Sequence, residues 1–339
     1  GSGWEWDDFQ WYYGAEVSAL NVNGNCLELS MSPGADTGST CRTTQFPDLN
    51  YLEIINHLKT GLPETESSVR VFRPIGSNRV FLNGVIPAGS STITNTIAIH
   101  NTAAFFASWL RSAMIKAGIE VNGTTLGIYK TDLSTAVRER KDKVELVRVS
   151  SPPLREILTQ TQKTSSNQNA QLLLLHAGIL RENRKIHSDG EEYSQSKTTE
   201  EYGIEELYDF LGEIGIPAED ALIEEGSGLS RRNRLKPSAV IQLLRYMARH
   251  EHASVYIDSL PIAGVDGTLR KRFQDSPAKN NLRAKTGSLR YARALSGFLT
   301  NHDGEPLVFS IFLNDFHSKD PDVSLTGFLD QIVEIMIDP

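Results

Sequence analysis

"NNLRAKTGSLRYARALSGFLTN", residues Asn280 to Asn301, reads as a strand, a turn and a second strand, and its first strand carries Lys285, Thr286 and Gly287 in succession. Valine and isoleucine suit a packed strand better. A strand that keeps one edge open, however, can bind an extended peptide as one strand more. There Lys285 supplies positive charge, the Thr286 hydroxyl can bond a terminal carboxylate, and Gly287 removes the side chain that would block close approach. Met alone, such a tripeptide is more often an ordinary exposed strand with a glycine bulge.

Downstream, Ala294 to Thr300 and Pro306 to Leu313 form apolar strands around the turn residues Asn301 to Gly304, and Leu325 to Ile337 reads as a closing helix. Upstream, Lys163-Thr164-Ser165-Ser166-Asn167 sits between two helical stretches, one opened by Pro152-Pro153 and one starting near Asn169 that carries Leu172 to Leu175. A serine and an asparagine two apart at a tight interhelix turn can aim one hydroxyl and one amide into a shared cleft. The competing role is an N-cap for the second helix. Arg181 to Glu201, rich in charge and poor in apolar residues, reads as an exposed loop, and a further helix starts at Pro237.

The first hundred residues differ in character. Val17 to Val22 and Cys26 to Met31 flank Asn23-Gly24, which predicts a hairpin with a type I′ turn, and Val69 to Phe72 with Arg79 to Val85 predicts a second. Near His100 the pattern becomes helical, with Phe106, Trp109, Leu110, Ala113, Met114 and Ala117 on one face and Gly118 as the stop.

Composition excludes several classes. With 339 residues the chain is long enough for two domains, and its net charge of −8 argues against a nucleic-acid-binding face. No apolar run approaches the ~20 residues of a membrane span. Two cysteines, Cys26 and Cys41, are too few for a disulfide scaffold or a thiolate metal site and leave pairing and free thiols both open. His250 and His252 lack a His-Glu-x-x-His partner, so no metal is expected, and no Gly-x-Ser-x-Gly elbow occurs. The chain opens Gly1-Ser2-Gly3-Trp4 without a charged-then-apolar leader, so targeting signals do not set its compartment.

Ser-x-Asn followed by Lys-Thr-Gly is similar to the serine acyl-transferases that react with penicillin. Five stretches extend the likeness nearly end to end: "GWEWDD" (3–8), "GAEVSAL" (14–20), "EGSGLSRRN" (225–233), "LPIAGVDGTL" (260–269) and "AKTGSL" (284–289). On these the chain resembles the class C, type 4 penicillin-binding proteins, the D-alanyl-D-alanine carboxypeptidase/endopeptidase family. The resemblance implies an α+β fold. A transpeptidase-like domain, an antiparallel sheet packed by helices, would occupy 100–339, and 1–99 would be the C-terminal part of an inserted β-rich accessory domain. It also implies an extracytoplasmic or periplasmic enzyme that needs no cofactor and binds peptidoglycan stem peptides and β-lactams.

The roles carried over are proton relay to the leaving D-alanine nitrogen by Ser165, a bond to the substrate amide by Asn167, and positive charge from Lys285. Thr286 would bind the substrate carboxylate, Gly287 would leave room for the substrate's close approach, and the backbone N–H of Ser288 would serve the oxyanion. The family's nucleophilic Ser-x-x-Lys normally precedes everything present here. A literal match, Ser194-Gln195-Ser196-Lys197, lies in the acidic loop, the wrong setting for a nucleophile at the start of a buried helix. The nucleophile is therefore expected on a complementary N-terminal section of the same protein. A non-catalytic peptidoglycan-binding homologue is the alternative, and a serine β-lactamase a third reading.

Overall fold

Leu27, Leu29 and Met31 alternate with Glu28, Ser30 and Ser32 along β1 (Cys26–Ser32), and the two-residue period turns the three apolar side chains to one face, where all are fully buried. The computed structural model describes residues 1–125, 127, 147–189, 197–316 and 324–338, in two compact units, 4–148 and 149–339 with 1–3.

The unit 4–148 continues with β2 (Arg42–Phe46), β3 (Glu53–Gly61), β4 (Ser68–Phe72), β5 (Arg79–Pro87), β6 (Ile93–Ala98) and α1 (Thr102–Lys116). One sheet has the order β2-β1-β6, all antiparallel; the other has the order β3-β5-β4, with β3 parallel to β5. Leu27, Leu29, Leu58, Leu82, Ile86 and Ile97 from both sheets share one core with Phe105 of α1. Phe105 meets Tyr51 edge-on at 5.1 Å and Trp109 at 5.6 Å. The helix thus belongs with the strands, and the division falls after residue 148 instead of after 99. Its inward stripe begins at Phe105, one residue before the expected one, and Leu110 is half exposed.

Of the two expected hairpins, β4 and β5 pair antiparallel with Phe72 opposite Phe81. The other does not form. Asn23, Gly24 and Asn25 all take positive φ and make a one-turn 3-10 helix. The fully buried Asn25 side chain then bonds Glu16 O, Asn21 Oδ1 and Val22 N, so β1 pairs with β2 and β6 instead. Cys26 and Cys41 are buried free thiols, and burial pushes Cys26 up to about 12.

The unit 149–339 begins with α2 (Leu154–Thr164), α3 (Asn167–Asp189) and α4 (Thr199–Glu213), then β7 (Ala221–Leu222), β8 (Arg234–Leu235), α5 (Pro237–Met247) and α6 (Ala253–Ser259). The sheet strands β9 (Arg283–Leu289), β10 (Ala292–Thr300) and β11 (Pro306–Leu313) and the closing α7 (Leu325–Ile337) complete it. Leu329, Val333 and Ile337 of α7, spaced by four, bury against Leu295, Leu299 and Phe309 of the sheet. Each such side chain contributes about 1.5–3 kcal/mol.

The expected loop from Arg181 to Glu201 is helical at both ends, because its charges are satisfied between helices and need no apolar stripe. Arg181 of α3 bonds Glu205, Glu206 and Asp209 of α4, and Lys185 joins Glu205. Ser194 lies outside the described residues.

Candidate active site

The sheet order β11-β10-β9 leaves β9 at an edge. The turn Arg290-Tyr291, with Tyr291 at φ 64°, returns the chain so that Lys285 faces Ser296 and Thr286 faces Leu295. On its other side β9 makes an isolated bridge from Arg283 to Ile262, and Ala284 N–H donates to Pro261 O at 3.0 Å. An antiparallel ladder alternates its amides between the two sides. The amides of Thr286 and Ser288 therefore point the same way as that of Ala284, to an edge that no strand covers among the described residues.

Gly297 lets the two strands approach: a Cβ there would stand 2.1 Å from Arg283 O. At Gly287 a Cβ would meet Ala294 Cβ at 3.1 Å, so packing within the sheet, as well as access from outside it, favours glycine.

The other half of the site is the turn between α2 and α3. Ser165 closes α2 in the left-handed region, φ 57° and ψ 51°. Ser166, and not Ser165, performs the capping: its Oγ accepts Asn169 N–H at 3.2 Å. That leaves the Ser165 hydroxyl to receive Lys285 Nζ at 2.6 Å, while the same ammonium donates to Thr286 O at 2.7 Å. Burial pushes Lys285 down to about 8. The Thr286 hydroxyl donates to Thr268 Oγ1 at 2.9 Å. Asn167 is the first residue of α3, and Ser288 is exposed on β9. Ser165, Lys285 and Thr286 are thus joined in one cluster, with Gly287 and Ser288 next along the strand.

Several participants escaped the sequence reading. Lys163, two residues before Ser165, bonds both carboxylate oxygens of Asp266 at 2.7 and 2.9 Å and Leu260 O at 2.6 Å. Asp266 also accepts Ile262 N–H at 2.8 Å. The pair holds the loop 260–269 against the last turn of α2 and so sets Thr268, on the one-turn 3-10 helix Gly267–Leu269. Neither Lys163 nor Asp266 carries a local signal of this pairing; Gly264 and Gly267, which flank Asp266 at positive φ, mark only the turns.

In "EGSGLSRRN", Glu225 is 1% exposed and accepts from Ser227 N, Ser227 Oγ, Gly228 N, Ser230 N and Asn233 Nδ2 at 2.5–3.3 Å. The loop folds around that carboxylate. Arg231 reaches Arg290 O, in the turn between β9 and β10, at 3.2 Å.

Two further literal motif matches test the motifs themselves. Lys59-Thr60-Gly61 repeats the tripeptide in β3, yet Thr60 is 2% exposed and accepts Gly34 N–H at 2.8 Å, so it presents no hydroxyl to a ligand. Ser276-Pro277-Ala278-Lys279 fits Ser-x-x-Lys but forms a turn, with Lys279 N–H donating to Ser276 O at 3.0 Å and Lys279 exposed. A nucleophile and its base need one helix face, which this turn does not offer. Among the described residues no three His, Cys, Asp or Glu gather as a metal site.

The profile of the D-Ala-D-Ala carboxypeptidase 3 (S13) family matches residues 1–332. Relatives include D-alanyl-D-alanine carboxypeptidase DacB of Haemophilus influenzae, 26% identical over 94% of this chain and 63% of its own length. The D-alanyl-D-alanine carboxypeptidase of Actinomadura sp. is 28% identical over 93% and 56%. The chain therefore spans about three-fifths of the length of these relatives. The crystal structure of penicillin binding protein 4 (dacB) from Haemophilus influenzae superposes with a TM-score of 0.76 at 24% identity, covering 99% of this chain and 71% of that one, which shows the fold. A second structure of that protein, complexed with a β-lactam, gives 0.70 at 25%, covering 95% and 71%.

Proposed function

The chain belongs to the D-Ala-D-Ala carboxypeptidase 3 (S13) family, and on that premise we propose that its Ser165, Lys285 and Thr286 cluster serves a serine D-Ala-D-Ala carboxypeptidase/endopeptidase. Its substrates are peptidoglycan stem peptides, cleaved through an acyl-enzyme outside the cytoplasmic membrane, and β-lactams inhibit it. The observation that carries this reading is the 2.6 Å bond from Lys285 Nζ to Ser165 Oγ beside an open strand edge.

A peptide ending in D-Ala-D-Ala lies along β9. Thr286 donates to its terminal carboxylate, and the Lys285 ammonium supplies the field that favours an anion there. When the nucleophilic serine gives its proton to the lysine of its Ser-x-x-Lys motif and attacks the penultimate carbonyl, the oxyanion takes the outward N–H of Ser288, a donor of a kind typically worth about 3–4 kcal/mol of barrier. Ser165, held by Lys285, relays a proton to the departing D-alanine nitrogen, and Asn167 bonds the substrate amide. Water then hydrolyses the acyl-enzyme. A β-lactam acylates the same serine and leaves slowly.

The nucleophile and its lysine belong, in this reading, to a Ser-x-x-Lys helix outside these 339 residues, on a complementary N-terminal section of the same protein. Leu172, Leu173 and Leu175 of α3 are only partly buried, and Ile179 and Leu180 are exposed, which supports a covering segment. The unit 4–148 is the accessory section.

The test is the denatured intact mass of the purified protein before and after penicillin. Drug mass on a polypeptide or segment carrying Ser-x-x-Lys, and not on these residues, upholds the reading. Acylation within these residues, or no acylation of the full protein, overturns it.

A further inference from the structure

A threonine hydroxyl has one proton to give. Thr286 gives its proton to Thr268 Oγ1 at 2.9 Å, so in the arrangement observed the exposed Thr268 hydroxyl is the member of the pair whose own proton is left to donate outward. Its position is set with care. Gly267, just before it, has φ +56°, and a Cβ at that residue would stand 2.8 Å from Lys163 O and 3.0 Å from Pro261 Cβ. Asp266 is pinned by Lys163 Nζ and by Ile262 N–H. Lys163 is largely buried, its side chain 16% exposed, on the helical turn that leads directly into Ser165. One ion pair therefore ties the strand-side hydroxyl of Thr268 to the segment that carries the proton relay.

We propose that Thr268 is a second ligand for the substrate's terminal carboxylate beside Thr286, and that Lys163 and Asp266 are the positioning pair that holds it there. The inference rests on the peptidase reading given above and adds a residue to it. A carboxylate only accepts hydrogen bonds and offers two oxygens. Two hydroxyls 2.9 Å apart can both turn to it, one to each oxygen, while Lys285 remains close behind Thr286. A cradle of this kind favours a free C-terminal carboxylate over an amide, because the carboxylate accepts from both hydroxyls and brings a negative charge beside the Lys285 ammonium, whereas an amide offers one accepting oxygen and no charge.

The experiment compares the full enzyme with its T268V and T268S variants on an acyl-D-Ala-D-Ala peptide and on the same peptide as its C-terminal amide, reading kcat/KM for each. T268V is expected to reduce the carboxylate-over-amide preference about 10- to 100-fold, the weight of one hydrogen bond to a charged group, with the loss in KM. T268S, which restores the hydroxyl, restores the preference. D266N is expected to lose part of the same preference, a readout that a merely structural role would leave unmoved. Wild-type turnover with an unchanged preference in T268V, or equal losses on both substrates, overturns the role of Thr268 alone. No turnover by the wild-type full protein overturns the peptidase reading and this inference with it.

Discussion

Lys285 Nζ donates to Ser165 Oγ across 2.6 Å, joining residues 120 apart in the chain. The bond is made by an ammonium that burial has pushed from its ordinary 10.5 down to about 8. In the proposed mechanism its protonation supplies the field for the substrate carboxylate, and it is held at a cost to stability. Between about pH 8 and 10.5 the unfolded chain binds the proton and the folded chain does not, so stability rises with pH through that window. Below pH 8 the full cost is present. At pH 7, K285M is therefore expected to melt at or above the wild-type temperature by calorimetry, while penicillin acylation of the full protein falls at least about 100-fold. In the wild type, kcat/KM for a D-Ala-D-Ala peptide declines as pH rises through about 8. A clear drop in the melting temperature of K285M would contradict the account.

Ser165 pays for its place with a left-handed backbone, φ 57°. For an L-residue that conformation costs roughly 1–2 kcal/mol, a cost glycine escapes. S165G and S165A both remove the hydroxyl proposed as the proton relay, so both are expected to lose activity. S165G should be the more stable of the two, by about 1 kcal/mol in urea unfolding. Equal stability would mean that the turn relaxes out of the left-handed region.

What could be read from sequence alone follows from range. The hairpins β4–β5, β9–β10 and β10–β11 and the closing α7 were legible because alternation, turn residues and helical spacing are local signals. Pairing across long separations was not. The Lys163–Asp266 bond spans 103 residues, and neither residue carries a local mark of it. The ends of α3 and α4 were missed because Arg181 finds its acids on the neighbouring helix, which leaves no apolar period to detect. Lys59-Thr60-Gly61 makes the same point about the site. Its three residues match Lys285-Thr286-Gly287, and only what lies opposite them differs: the Gly34 amide at one threonine hydroxyl, Thr268 at the other.

Gly297 faces Ala284 across the β9–β10 ladder. Its absent side chain lets the carbonyl of Arg283 pass 2.1 Å from where a Cβ would sit, and Ala284 Cα lies 2.6 Å from the same point. Both are backbone atoms and cannot step aside by changing rotamer. G297A is expected to force the strands apart, at about 1–3 kcal/mol or more, and to carry Lys285 away from Ser165. The measurable outcome is a lower unfolding midpoint together with slower penicillin acylation. G212A, on α4 where a Cβ meets nothing within 4 Å and the backbone is not at positive φ, serves as the control for a glycine-to-alanine change without a clash.

Glu225 answers for the shape of the loop that brings Arg231 to the β9–β10 turn. A buried carboxylate that receives three backbone amides, one hydroxyl and one side-chain amide is an acceptor with every position filled. Glutamine has the same outline but replaces one acceptor with an NH2 group, which would point donors at donors. E225Q is thus expected to destabilise the unit 149–339 by about 2–3 kcal/mol, more than an exposed Glu→Gln change would. Because the loop also sends Arg231 to Arg290 O at 3.2 Å, the loss should reach the hairpin. Hydrogen exchange is expected to quicken first at Gly228 and Ser230, whose amides the carboxylate holds, and then at the turn Arg290-Tyr291. Faster exchange at the turn with Gly228 and Ser230 still protected would show that Glu225 does not organise the loop.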